Sequence, residues 1–255
     1  MDRVVLITDN ELRHRYVATN LKSLFPNTMV IHEQKEFVSI GEHFAEREKV
    51  EKKLLSDGVG LGPRGVVIEI PKGTVSTDLE IRDKIAAFSP DIILFYGCSI
   101  IKKSFIDAQS VPLINVHLGL SPYYRGAGTN FWPIFNEEPE YVGITYHFLD
   151  ENIDTGRILA QRRLPFFRYR NVHEQGMDLI KSIPSDLRSL LLNFKQYEMR
   201  EECEFHTGPR LYYKASNFSE DSSAFVERNF ERIQNDFLER YKERMLSVPI
   251  MGLDL

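Results

Sequence analysis

The chain has 255 residues, 42% hydrophobic and 27% charged, with a formal net charge of -5. That is enough for one large domain or one domain with a small appendage, and the acidic balance excludes a bulk basic footprint for nucleic acid. Cys98 and Cys203 form neither a disulfide framework nor a zinc spacing. The apolar start is too short for a signal peptide and no run reaches the length of a membrane span, so a soluble cytoplasmic protein is expected.

Arg3 to Thr8, RVVLIT, is a short apolar run of the kind buried on both faces of a sheet. Asp9 or Asn10 is placed to cap a helix carrying Leu12, Tyr16, Leu21 and Leu24. NTMVIHE reads as a second strand, and Phe37, Ile40, Phe44, Val50 and Leu54 mark one face of a charged second helix. RGVVIEI, DIILFYG and VPLINVH read as strands three to five, with a helix at TDLEIRDKIAAFS. This alternation predicts an α/β domain with a mostly parallel, Rossmann-like sheet flanked by helices.

Beyond residue 140 two more strands are predicted, YVGITYHFL and RILAQRRLPF, joined by DENIDTG. A long helix follows over VHEQGMDLIKSIPSDLRSLLLNFKQYEM, with a bend near Pro184. The tail contains a strand at GPRLYYKAS and a helix over roughly 221–246, with Phe225, Phe230, Ile233, Phe237 and Tyr241 near helical spacing. The predicted division is a catalytic domain over 1–200 and a strand and helix extension over 201–255.

Two glycine-bearing stretches carry little. In DGVGLGPRG, Asp57 to Gly65, the glycines precede the third strand, whereas a dinucleotide fingerprint follows the first. A lone DTG at 154–156 lacks the second carboxylate of an aspartic protease.

PLINVHLGLSPYYRGAGTNF, Pro112 to Phe131, carries more. Ligands of open parallel sheets bind beyond the carboxyl ends of the strands, where Asn115 and His117 fall on one face. An imidazole there can act as general base or acid, and an amide can donate to a developing oxyanion. In LDENIDTG, Asp154 can orient a histidine.

In order, these pieces are Asn115-x-His117, a loop with Pro122, Arg125 and Gly126, then Gly143-x-Thr145-x-His147, then Asp154-Thr155-Gly156. The set resembles the formyltransferases that use 10-formyltetrahydrofolate, in detail over about residues 90 to 165. The resemblance implies a catalytic set of Asn115, His117 and Asp154. It implies a pterin slot formed by Ser99, Ile100 and Ile101 with Asp150 and Ile153 opposite, and no metal, for which ligand spacing offers no set either. In place of the family's usual Ser two residues after the His and Leu before the Pro, this chain has Gly119 and Ser121.

Among family members, GPRLYYKASNF and the loop LGLSPYYRGAGTNFWP point to the sugar-nucleotide N-formyltransferases. Tyr123, Tyr124, Arg125 and Trp132 are then expected to contact the acceptor. The reaction implied moves formyl from 10-formyltetrahydrofolate to an amino-dideoxy sugar nucleotide for O-antigen or other surface polysaccharide. The alternatives are a glycinamide ribonucleotide-like enzyme and a non-catalytic folate-binding module. Neither nucleic acid nor membrane is expected as a partner, and a homodimer is left open.

Overall fold

A computed structural model describes residues 1–34, 42–59, 66–163, 168–201, 205 and 208–253. In chain order the first half runs β1 (Val4–Asp9), α1 (Leu12–Leu24), β2 (Thr28–Gln34), α2 (Glu42–Leu55), β3 (Val67–Pro71), α3 (Leu79–Phe88), β4 (Ile92–Tyr96), α4 (Lys103–Ile106) and β5 (Leu113–His117). There follow β6 (Tyr124–Gly126), α5 (Trp132–Phe135), β7 (Ile144–Phe148), β8 (Ile158–Arg162), α6 (Val172–Leu192), α7 (Phe194–Glu198), β9 (Leu211–Tyr213), α8 (Glu220–Glu239) and α9 (Tyr241–Ser247).

Among the described residues the main sheet has the order β3-β2-β1-β4-β5-β7-β8. It is parallel through β5 and antiparallel across β5–β7 and β7–β8. Every residue of β1 is buried, because successive side chains face two different layers. Val4 and Leu6 join a core with Val17, Leu21, Ile183 and Leu187. Val5 and Ile7 join one with Ile81, Ile85 and Phe105. Helices thus cover both faces, as the unbroken apolar strands require.

Several expectations are corrected. Glu11 stands at the N-cap of α1, and the Asp9 carboxylate accepts the N–H groups of Asn10 and Glu11, at 2.6 and 3.1 Å, as the chain turns out of β1. Leu24 is the last residue of α1 and is 40% exposed. The one long helix expected over 172–199 is divided at Asn193 into α6, which contains Pro184, and α7. The tail helix divides at Arg240. The expected contributions of Phe37, Ile40, the 60–65 part of the glycine stretch, Leu164 to Phe166 and Cys203 lie outside the described residues. No helix among the described residues is long and apolar enough to cross a membrane.

The strand expected at GPRLYYKAS is β9, and it pairs in parallel with β6, whose three residues YRG carry no strand pattern of their own. The pair joins the loop after β5 to the C-terminal segment. Trp132 stacks on Tyr213 with centroids 4.3 Å apart, and Tyr123 donates its hydroxyl hydrogen to Pro249 O at 2.9 Å. Gln161 of β8 holds residue 251 from both sides, accepting the Met251 N–H on Oε1 at 3.1 Å and donating its own N–H to Met251 O at 2.5 Å. The buried stripe Val226, Phe230, Ile233 and Phe237 docks α8.

Candidate active site

The site lies where the sheet changes direction. Antiparallel register sets Asn115 of β5 opposite His147 of β7, and His117 opposite Thr145. Period-two alternation turns all four toward one face. The loop after β7 then brings back Asp154, whose φ of 53° is the left-handed conformation that Asp tolerates better than most residues.

Asp154 is the hub. Its Oδ1 accepts from Asn115 Nδ2 at 3.1 Å, and its Oδ2 accepts the Gly126 N–H at 2.8 Å. His117 Nδ1 lies 3.3 Å from the same Oδ2. Burial works against this carboxylate, but His117, His147 and the Gly126 N–H outweigh it and hold Asp154 at about 2. The expected trio of Asn115, His117 and Asp154 is therefore assembled from two pieces of chain, β5 and the loop after β7.

His147 completes the cluster. Its Nδ1 lies 2.8 Å from Phe148 O, which can only accept, so Nδ1 carries the hydrogen. Its Nε2 is then the acceptor for Asn115 Nδ2, at 3.0 Å. His117 faces an acceptor on each side, Asp154 Oδ2 and the Tyr124 carbonyl, the latter 3.0 Å from Nε2. Burial pushes its pKa below the ordinary 6.5; Asp154 pulls upward, while His147 and Arg125 push down. A neutral ring donates to one of these two acceptors and offers its other nitrogen as a base.

The supports of the trio went unassigned in the sequence. Thr145 Oγ1 donates to Gly119 O at 2.7 Å and accepts the Ser121 N–H at 2.9 Å, and Gln161 Nε2 donates to Ser121 O at 2.7 Å. These bonds clamp the start of the loop under His117. The signal for His147 and Thr145 was their alternation with the facing strand, which needs the antiparallel pairing to be known. Gly119 now has a reason: a Cβ there would come within 2.6 Å of both His117 Nε2 and Thr129 Oγ1. Thr129 fills the space a serine at 119 would take.

The slot residues are partly separated in character. Ile100 is 74% exposed while Ile101 is buried. The Ser99 N–H is fixed by Glu33 Oε2 at 2.6 Å. The facing loop is brought alongside by Lys103 Nζ and Glu151 Oε2, 3.6 Å apart. Within it Asp150 accepts from Thr155 Oγ1 and the Asn152 N–H, and Ile153 is half-buried.

The aromatic expectations are corrected. Tyr123, Tyr124 and Trp132 are 1%, 0% and 4% exposed, so they have no open face for a sugar or base. Tyr124 donates its hydroxyl hydrogen to Glu138 Oε2 and accepts from Asn136 Nδ2, and Trp132 Nε1 donates to Ala127 O at 3.0 Å. Large amphipathic rings satisfy their polar ends in this way when they pack. Arg125, between Tyr124 and the Gly126 held by Asp154, is half-buried. Among the described residues its guanidinium has no ion-pair partner.

Comparison with known proteins points to one family. Residues 10–180 match the formyl transferase family. Methionyl-tRNA formyltransferase of Clostridioides difficile is 28% identical over 169 residues, 64% of this chain and 54% of that protein. GDP-perosamine N-formyltransferase of Brucella melitensis is 41% identical over 80 residues, 31% of this chain and 30% of that one. The chain thus spans about half or less of the length of these curated relatives. A sugar N-formyltransferase from Shewanella superposes with a TM-score of 0.56 at 20% identity, covering 86% of this chain and 79% of that one, a likeness of fold. With the family match spanning most of the chain and the cluster at the tip of β5, the chain belongs to the formyl transferase family.

Proposed function

We propose that this protein is a folate-dependent N-formyltransferase that formylates the amine of an amino-dideoxy sugar nucleotide. The observation that carries the reading is the convergence of Asn115, His117 and Asp154 at the end of β5. The expected slot also suits a reduced folate: exposed Ile100 offers an apolar face, and Lys103 and Glu151, 3.6 Å apart, link its segment to the loop that carries Asp150 and Ile153. When bound, 10-formyltetrahydrofolate supplies the formyl group and its N10 as the leaving nitrogen.

Asp154 takes the Nδ1–H of His117, fixing the ring with Nε2 as the basic nitrogen. That nitrogen receives the proton of the attacking amine once the amine displaces the Tyr124 carbonyl. An N–H of Asn115 turns from Asp154 Oδ1 to the oxygen on which charge develops. His147 keeps the other hydrogen of that amide, so the donor stays aimed. The protonated His117 is stabilised by Asp154 and returns its proton to the leaving nitrogen.

This assignment has a signed pH dependence. His117 must be neutral to act, and burial lowers its pKa from 6.5. The rate should therefore be flat near neutrality and fall on the acid side with an apparent pKa below 6.5. Asp154→Asn removes the anion that opposes this depression, so its residual activity should show an acid limb at still lower pH. A pH profile of kcat/KM for both proteins checks this, and a wild-type limb above 6.5 counts against His117 as the base.

For the acceptor, the Arg125 guanidinium, without an ion-pair partner among the described residues, supports a diphosphate, which its fork suits. The acidic balance, net charge -5, speaks against tRNA. We assign residues 1–200 to catalysis and 201–255 to an extension that shapes the acceptor loop through β9. Arg125→Ala should raise KM for an amino-sugar nucleotide at least ~10-fold, as expected for a lost charge-assisted contact of about 1.5–3 kcal/mol, with little change in KM for the formyl donor. A screen of amino-sugar nucleotides, glycinamide ribonucleotide and methionyl-tRNA with 10-formyltetrahydrofolate tests the function. Turnover of the latter two alone would move the assignment to those members, and reduced-folate binding without turnover of any acceptor would leave a binding module.

A further inference from the structure

Three helices far apart in sequence bring donor groups to one point. His43 of α2, His173 of α6 and Glu227 of α8 each place one donor atom within 4.8 Å of the others. The two imidazoles lie 4.4 Å apart between centroids, and His43 Nδ1 is 3.8 Å from Glu227 Oε1. Phe131 and Phe218 flank His43 at 5.3 and 4.7 Å. His173 is only 6% exposed. Among the described residues neither His43 Nδ1 nor His173 Nε2 has a hydrogen-bond partner. Buried polar groups are normally paired, and the exceptions call for an explanation such as an ion.

We infer that His43, His173 and Glu227 form a structural site for a zinc-like divalent ion, which fastens α8 to α2 and α6. Imidazole nitrogen and carboxylate oxygen are both zinc ligands, whereas magnesium asks for an octahedron of oxygens. Three donors within 4.8 Å of one another share a centre about 2.8 Å or less from each, and small side-chain rotations close the remainder to the roughly 2.0–2.2 Å of zinc bonds. Ser223 Oγ, 3.2 Å from Glu227 Oε1, already orients the carboxylate as an outer hydrogen bond does in metal sites. Glu227 is 44% exposed, which leaves a solvent side for entry and for a fourth ligand water. The cation nearby, Arg47, is drawn toward Glu51 and Glu11, 3.4 and 3.6 Å away. Sequence positions 43, 173 and 227 make no spacing pattern, and catalysis as derived above routes nothing through this ion.

The test is calorimetric titration of zinc chloride into the full chain after chelator treatment, with melting curves alongside. One zinc should bind per chain and raise Tm. Magnesium chloride should give neither effect. Glu227→Gln keeps the ring packing and the Ser223 contact, so it should fold, bind zinc at least ~10-fold more weakly and lose most of the Tm rise. His43→Gln should remove binding. His117→Asn should still take up one zinc, which separates this site from the catalytic cluster. No zinc uptake by the wild-type chain, or the same affinity and Tm rise in Glu227→Gln, would overturn the assignment. Zinc uptake and the Tm shift are read without any acceptor, so either result stands whether or not a sugar nucleotide is formylated.

Discussion

Replacing His117 with asparagine should lower kcat by at least ~10²-fold, the lower end of general-base effects, with the fold retained. The ring is the one group in the cluster with a nitrogen free to receive a proton while Asp154, 3.3 Å away, stabilises the charge. Asparagine removes the base but keeps a polar group that can face the Tyr124 carbonyl. Circular dichroism should therefore match the wild type while turnover collapses. Asn115→Ala should behave similarly, since one oxyanion donor is worth about 10²–10³ in kcat where it has been removed elsewhere. Near-wild-type turnover in a folded His117→Asn variant would sink the mechanism.

The largest stability effect should come from a residue away from the reaction. Asp186 of α6 is fully buried. It accepts from Arg162 Nε at 2.8 and 2.7 Å through its two oxygens, and from the Tyr146 hydroxyl at 2.8 Å. Burial raises the Asp186 pKa, against the pull of Arg162, Tyr146 and Ser182. These partners compensate the buried carboxylate. Asp186→Ala strands a mostly buried guanidinium at the edge of β8, and breaking such a pair costs about 3–5 kcal/mol. Denaturant unfolding should show that loss as a lower midpoint at unchanged slope. The double replacement Asp186→Leu with Arg162→Met should recover most of it, because two apolar groups leave no uncompensated charge. A loss under ~1 kcal/mol for Asp186→Ala alone would mean that water reaches Arg162 and that the pair is a surface one in energetic terms.

The fold was legible where burial on both faces writes an unbroken apolar run. The apolar runs VVLI, MVI, IILFY and LI lie in β1, β2, β4 and β5, all strands of one sheet. Helix ends were less legible: Asp9 bonds into the turn it was expected to cap, and the interruption near the end of the long helix falls at Asn193. At the site, Asn115, His117 and Asp154 could be named because their order along the chain has a family pattern. His147 could be quoted but not assigned, because its partner across the sheet depends on an antiparallel register. The acceptor aromatics misled for a physical reason. Tyr and Trp look the same in sequence whether their rings meet a ligand or a neighbouring strand, and here β9 and Tyr213 are the neighbours. Gly119 was visible only as a departure, and the space around Thr129 accounts for it.

The pairing of β6 with β9 also bears on synthesis. Arg125 sits opposite Tyr212, 87 positions further along the chain, and the clamp on Gln161 waits for Met251. The core strands and the tip of β5 can form on the ribosome long before either partner has left the exit tunnel, since domains fold as units while the chain grows. The β6–β9 pair cannot. A nascent chain holding the first 200 residues would carry His117 and Asp154 but not the partner of β6, so the backbone of Arg125 gains its neighbour only after Tyr212 has emerged.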